Sequence, residues 1–593
     1  MIFGKHINRY YLRYAHVLLL GLATLFLVDY AQMIIPNLFQ MVVNGMNRGS
    51  VEVDGQLLAF DMDFLFYRIC VPMLAVTVCL VFGRFIWRCC FFGSAIRVET
   101  DIRNRMFDHA RNLSREYYQL NKVGNLMSLF TNDLDTVQDC YGWGIMMFCD
   151  ALFLVVLSVM RMWGMNRLLT LLTLIPMVLL LGASTVLGRY MMKKWDYRQA
   201  CFSKLSDFAQ ESFSGIAVIK AFVKEAKELL AFQKLNVENE KANVEHTKAA
   251  VLLKILVNLF VESVVCVILL YGGWLVYVGR FNAGQLVEFI GYFSSVVWPI
   301  MAVAELVDMT SRGNASLKRV GEFLDARQTV FDRPEVTEIR DVRGEIEFRH
   351  LDFQYPDGNV PALKDITVTI HPGEKIGLVG KTGSGKSTLV DLILRTYNVP
   401  DGTLFIDGRD VNTVSIQSLR EACAYVPQDN FLFSDTIARN ISFGVSEGCR
   451  DEIIDAARMA DVDGNIQEFH KGYQTVLGER GVTVSGGQKQ RISIARALMK
   501  KAPILILDDS VSAVDTKTEN NILHNLGEVR QGMTTLLIAH RVSTIAKMDR
   551  LLFMEDGALT AVGTHQELYA SCPSYRKMVD MQRLEEEGGE HND

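Results

Sequence analysis

Residues 376–388 read IGLVGKTGSGKST. The apolar run Ile376 to Val379 leads into a loop in which Gly380, Lys381, Thr382, Gly383, Ser384, Gly385, Lys386 and Ser387 fit the pattern GxxxxGK[ST]. Thr388 and LVDLILR follow as a helix. Strand, glycine loop and helix in that order suit a bound phosphate. Glycines let backbone N–H groups wrap the anion without Cβ clashes, and the helix N-terminus turns its positive end toward it. Lys386 is placed to reach β- and γ-phosphates, and the Ser387 hydroxyl to ligate Mg²⁺.

Working outward, Ile504 to Asp508 (ILILD) reads as a buried strand ending in a carboxylate, suited to holding Mg²⁺ through its water shell. Between the two lies VSGGQ, residues 484–488, followed by the helical run KQRISIARALMKK. Ser485, Gly486, Gly487 and Gln488 at a helix start make a second anion site, although an ordinary N-cap has the same composition. Two phosphate-seeking helix ends in one chain suggest a nucleotide held between two copies of the domain.

The first half of the chain has a different texture. Hydrophobic residues make up 50% of the 593 and charged ones only 22%. That mixture fits a chain that is part membrane protein and part soluble domain. A net charge of −6 gives no overall basic surface for nucleic acid. The 11 cysteines contain no CxxC pair, which argues against a zinc or disulfide framework. Only Pro36, Pro72, Pro176 and Pro299 precede residue 330, and none lies between 177 and 298, which predicts long helices. After about residue 340, short apolar runs alternate with Gly, Pro and Asp, the pattern of an α/β domain. The expected organisation is a membrane domain over 1–325, a linker over 326–344, a nucleotide-binding domain over 345–582 and a disordered acidic tail over 583–593.

Six apolar segments, near 16–43, 64–92, 142–163, 167–190, 251–279 and 285–308, are long enough to cross a bilayer. Lys5, Arg9 and Arg13 precede the first, and Glu52, Asp54, Asp61 and Asp63 follow it. This bias places the N-terminus in the cytoplasm, and six crossings return the nucleotide domain to the same side. The long connections between spans two and three, and four and five, predict helices that continue well beyond the hydrocarbon.

With these motifs in order along the chain, the sequence resembles the ATP-binding cassette (ABC) transporters, and over its first half the exporter-type half-transporters. FGSAIRVETDIRNRMFDHA, GNLMSLFTNDLDTVQ and LSDFAQESFSGIAVIKAF carry the membrane part of the likeness. The resemblance implies a six-helix membrane domain with long cytoplasmic extensions joined to an α/β P-loop cassette in a multi-pass protein of the cell membrane. It implies that Tyr355 stacks on adenine and that Gln428, in YVPQDNFLF, links Mg²⁺ to the membrane domain. VSGGQ resembles the family's signature, Ser512 to Asp515 its D-loop, and His540 its switch histidine on the γ-phosphate. Helices that touch the cassettes are implied near Tyr117–Gly124 and Phe213–Phe222. The implied cofactors are ATP and Mg²⁺, and the implied partner is a second half-transporter.

One position departs from the family. Its general base is a glutamate directly after the strand-terminal aspartate, and this chain has Asp509 there. The side chain is shorter by one methylene, roughly 1.5 Å of reach. A base must come within about 2.6–3.2 Å of the proton it takes, so hydrolysis at this site is expected to be slow. A slow site beside an intact SGGQ suggests a heterodimer, with a homodimer as the alternative. Asp29, Glu262, Glu305 and Asp308 lie within the spans, where an ionisable group is costly and marks a substrate cavity or an interhelical contact. The expected activity is ATP-driven export of amphipathic small molecules. The alternatives are a lipid or peptide exporter or flippase, and an ATP-gated channel.

Overall fold

The structure is a computed structural model that describes residues 3–53, 56–446, 448–478, 481, 484–512, 514–539 and 541–590. It divides into two compact units, Met1–Arg111 with Val123–Ala326, and Asn112–Lys122 with Arg327–Asp593.

The first unit is helical. Its main helices are Ala15–Gln32, Ile34–Arg48, Val71–Asn112, Leu134–Met165, Arg167–Ser214, Glu225–Tyr277 and Ala283–Leu324. Among the described residues, five stretches are long and apolar enough to cross a membrane: Ala15–Arg48, Met62–Asn112, Val123–Met165, Glu225–Tyr277 and Ala283–Leu324. The fourth expected span, near 167–190, falls on Arg167–Ser214, where the apolar helical stretch found among the described residues, Arg167–Leu180, is shorter. The expected extensions are present. Helices of 42, 48, 53 and 42 residues would run about 60–80 Å at 1.5 Å per residue, against a hydrocarbon core of about 30 Å.

Local chemistry starts these helices. The Asn166 side chain accepts the Leu169 N–H at 3.0 Å, and Asn282 and Gln285 form a reciprocal capping box. Pro176 and Pro299 lie inside helices rather than ending them, as membrane helices tolerate. Small residues let neighbouring helices close up: a Cβ on Gly83 would stand 2.4 Å from Val28 Cγ2, and one on Gly142 would stand 2.9 Å from Ala95 Cβ. Outward faces carry exposed Leu19, Leu20, Phe82 and Phe85, a surface suited to hydrocarbon. An antiparallel hairpin, Ser50–Val53 with Gln56–Ala59, fills the connection after the first span and packs Val51 with Phe64 and Ile69.

The second unit holds two sheets. A six-stranded sheet has the spatial order Ala558–Gly563, Arg550–Glu555, Lys375–Gly380, Thr534–Ile538, Ile504–Asp508, Cys423–Val426. All its pairings are parallel except the one to the edge strand Ala558–Gly563. Ile504–Asp508 and Thr534–Ile538 are buried at every position, as strands covered on both faces must be. A second, antiparallel sheet runs Leu363–Ile370, Ile346–Phe353, Leu404–Ile406, Arg409–Asp410. Residues 327–344 lie on this unit: Thr337 N–H donates to Thr413 O at 2.9 Å, and Asp407 accepts the N–H groups of Arg343, Gly344 and Glu345. The last helix, Pro573–Glu590, carries helical backbone well into the stretch read as a tail.

Candidate functional site

The parallel sheet fixes where the phosphate loop lies. Lys375–Gly380 ends in the sheet's middle, and the chain turns through the loop into the helix Lys386–Ile393. Gly383 (φ 84°) and Gly385 (φ 98°) occupy left-handed backbone that favours glycine. A Cβ on Gly385 would also approach Leu363 Cδ2 to 2.7 Å and Ala362 O to 2.9 Å, so the loop leaves no room for a side chain there.

Lys386 is buried, and its Nζ donates to Gly380 O at 2.9 Å and to Lys381 O at 2.8 Å. Burial pulls its ammonium below the ordinary lysine range, while Asp508 and Asp509 act in the opposite direction. The Ser387 hydroxyl donates to Asp508 Oδ1 at 3.2 Å, which brings two of the three expected Mg²⁺ ligands together. Burial raises Asp508 above the usual carboxylate range, and the Ser387 hydrogen bond opposes that shift. Ser384 is 3% exposed and its hydroxyl has no hydrogen-bond partner among the described residues. A buried hydroxyl, a buried ammonium bonded to loop carbonyls, and a glycine cradle fit a polyphosphate with Mg²⁺.

Asp509 follows the strand directly at φ 46°, a left-handed conformation that aspartate tolerates better than most side chains. Its N–H donates to Ile538 O at 3.0 Å, and its carbonyl accepts the Ser512 hydroxyl at 3.0 Å. Gln428 is exposed just past the strand Cys423–Val426, which pairs with Ile504–Asp508, so it stands at the same carboxyl edge of the sheet. Tyr355 meets Tyr397 edge to face at 5.2 Å, and its hydroxyl shares a 2.9 Å hydrogen bond with Thr388. His540 lies outside the described residues.

Ser485 caps the helix Gly486–Met499 in a reciprocal capping box: Gln488 N–H donates to Ser485 Oγ at 3.3 Å, and Ser485 N–H to Gln488 Oε1 at 3.0 Å. Ser485 and Gly486 are exposed, so this helix end is open to an incoming group.

Sequence reading missed two partners of the phosphate-loop helix. Asp391 is 6% exposed and pairs with Arg115 Nη1 at 2.5 Å, and the Gln119 side chain accepts the Tyr397 hydroxyl. Both partners come from Arg115–Leu120, a short helix that overlaps the segment near Tyr117–Gly124 expected to touch the cassette. The second expected segment contains the short helix Ile216–Ala221. A carboxylate inside the apolar run LVDLI was the available signal for Asp391.

The four membrane carboxylates do not share one environment. Glu262 and Glu305 are exposed, Asp308 pairs with Arg312 at 2.7 Å, and Asp29 is 2% exposed. Asp29 faces Asp150, a fifth carboxylate inside the third expected span that the sequence reading passed over.

Comparison with known proteins agrees with this architecture. Residues 18–300 match the family model described as ABC transporter transmembrane region, and residues 363–512 match the one described as ABC transporter. The chain is 34% identical to "Probable multidrug resistance ABC transporter ATP-binding/permease protein YheI" of Bacillus subtilis (strain 168), covering 99% of this chain and 98% of that protein. It is also 34% identical to "Multidrug resistance-like ATP-binding protein MdlA" of Escherichia coli (strain K12), over 95% and 94% of the two chains. To the "ATP-dependent lipid A-core flippase" of Syntrophus aciditrophicus (strain SB) it is 34% identical, over 88% and 86%. A solved structure of a bacterial Atm1-family ABC exporter with ATP bound shares the fold, with a TM-score of 0.76 over 97% and 98% of the chains at 24% identity. A membrane helical region fused to a C-terminal cassette, matched nearly end to end by multidrug half-transporters, places this chain in the ABC transporter family as an exporter-type half-transporter, a multi-pass membrane ATPase with its ATP-binding domain in the cytoplasm.

Proposed function

We propose that this chain is one half of a heterodimeric exporter of amphipathic small molecules, and that it contributes a slow ATP site of its own while completing a fast site for its partner. In the slow site, Tyr355 stacks on adenine, residues 380–388 wrap the phosphates, and Lys386 moves from the loop carbonyls to the β- and γ-phosphates. Ser387, Asp508 and Gln428 would hold Mg²⁺, whose charge would offset that developing on the transferred phosphoryl group. Asp509 accepts the proton of the attacking water, and His540 contacts the γ-phosphate. Ser485 to Gln488 close on the partner's nucleotide.

The observation that supports this reading is Asp509, a carboxylate electrostatically coupled to Lys386 where the family carries a longer acid. Positioning supplies most of the catalysis in phosphoryl transfer, and small misplacements can cost about a hundredfold. The open Ser485 helix end, which needs no such base, is kept. Co-expression with a half-transporter encoded beside it, carrying Glu at the position of Asp509, should raise ATPase activity far above that of this chain alone. Full transport-coupled activity from the purified single chain would favour a homodimer instead.

A further inference from the structure

Asp29 sits in the last turn of the helix Ala15–Gln32, near the middle of the first span, Ala15–Arg48, and Asp150 midway along Leu134–Met165. Asp29 is 2% exposed, its carboxyl lies within hydrogen-bond reach of Asp150, and its Oδ2 has no donor among the described residues. Two groups act on Asp29: the Asp150 carboxyl and the Arg84 guanidinium. Asp150 is in turn coupled to Asp29 by a side-chain hydrogen bond and to Arg84 by charge, and it acts electrostatically on the neighbouring Cys149 thiol. Arg84 comes from Val71–Asn112, is exposed, and its Nη2 donates to Gln32 Oε1 at 3.4 Å. Gly83, beside Arg84, packs against Val28, beside Asp29, and that close approach brings the third helix to the pair.

Charge counting defines the ligand. Two carboxylates and one guanidinium carry a net −1 when all are ionised, in a medium where an unbalanced charge is costly. One monovalent cation balances the site. The buried Asp29 carboxyl forms one end of the cluster and the exposed Arg84 guanidinium the other. Phe26 and Phe153, one helical turn from Asp29 and Asp150, meet edge to face at 5.4 Å. Aromatic faces beside an acid suit an organic cation better than a hydrated metal ion.

We infer that Asp29, Asp150 and Arg84 form a binding site for one monovalent organic cation, and that without it the two carboxyls share a single proton that the cation displaces. The balance is one cation bound and one proton released to solvent, with no covalent change. The inference deepens the exporter reading by naming a substrate class.

The test uses the full-length working dimer in lipid nanodiscs without ATP, titrated with tetraphenylphosphonium, a permanent cation with no proton of its own. Calorimetry in buffers of different ionisation enthalpy counts the protons released. One proton per bound cation is expected, with affinity rising about tenfold per pH unit until the pair is ionised and then flat. Asp29→Asn and Asp150→Asn should each abolish proton release and weaken binding at least tenfold. Arg84→Gln keeps both carboxyls and should move the whole profile to higher pH. It remains informative should an Asn variant fail to fold. Affinity independent of pH in the parent protein, or proton release unchanged in the Asn variants or unshifted in Arg84→Gln, would overturn the inference. ATP-driven movement of the same probe in vesicles is scored separately. Binding with proton release but no movement would sink the exporter reading and leave the site standing.

Discussion

At the scale of single residues, the phosphate loop holds two side chains whose surroundings make sense once a polyphosphate is present. The Ser384 hydroxyl is buried without a partner, at a typical cost of about 1–3 kcal/mol. Ser384→Ala should therefore leave the nucleotide-free protein as stable as the parent or more so, while reducing the upward shift in melting temperature that ATP produces. Thermal unfolding with and without ATP reads both effects, and a destabilised nucleotide-free protein would contradict them. Among the described residues, Lys386 bonds to loop carbonyls alone, at 2.8 and 2.9 Å. Lys386→Ala should weaken azido-ATP labelling at this site by about tenfold to a hundredfold, the range that losing charge-assisted hydrogen bonds predicts. Labelling of equal strength at this site would remove the assignment.

At the scale of elements, the short helix Arg115–Leu120 and the phosphate-loop helix Lys386–Ile393 are tied by the Arg115–Asp391 pair. Burial raises Asp391 above the ordinary carboxylate range, and Arg115 opposes that rise. Arg115→Ala should cost about 1–2 kcal/mol near neutral pH, a discounted figure because half of the Arg115 side chain meets solvent. The sign with pH follows from linkage. Without Arg115 the folded-state value of Asp391 rises further, so the folded cassette binds a proton more readily than the unfolded chain. The penalty should be largest above that raised value and shrink as pH falls through it toward the ordinary aspartate range. Melting temperatures of parent and variant between pH 5 and 8 test this, and a penalty that grows on acidification would refute it.

Much of this level was legible in the sequence. The proline-free stretch yielded the long helices, and GKTGSGKST, ILILD and VSGGQ marked the loop, the strand end and the helix cap because each is a local pattern. Arg115 and Asp391 could not be paired in the same way, since their contact depends on how distant segments return to one surface. Asp150 was open to the same hydropathy argument as Asp29, whereas its meeting with Asp29 and Arg84 depends on helix rotation, which composition does not fix. The hairpin after the first span escaped notice because four-residue strands carry too little alternation to stand out.

At the scale of the whole molecule, a half-transporter with a short acid at the base position and an open signature helix makes sense when its two ATP sites differ. Asp509→Glu tests that most directly, measured in the proposed heterodimer after the Glu expected at the partner's matching position has been changed to Gln, so that only this chain's site can turn over. Glutamate at φ 46° is less comfortable than aspartate, so folding is checked by melting temperature before rates are compared. The account predicts a nearly inactive parent pair in this background and a recovery of ATP turnover by about tenfold or more with Asp509→Glu, equivalent to at least about 1.4 kcal/mol of barrier. Rapid ATP turnover by the parent pair, before any change at Asp509, would show that aspartate suffices as the base and would contradict the asymmetry.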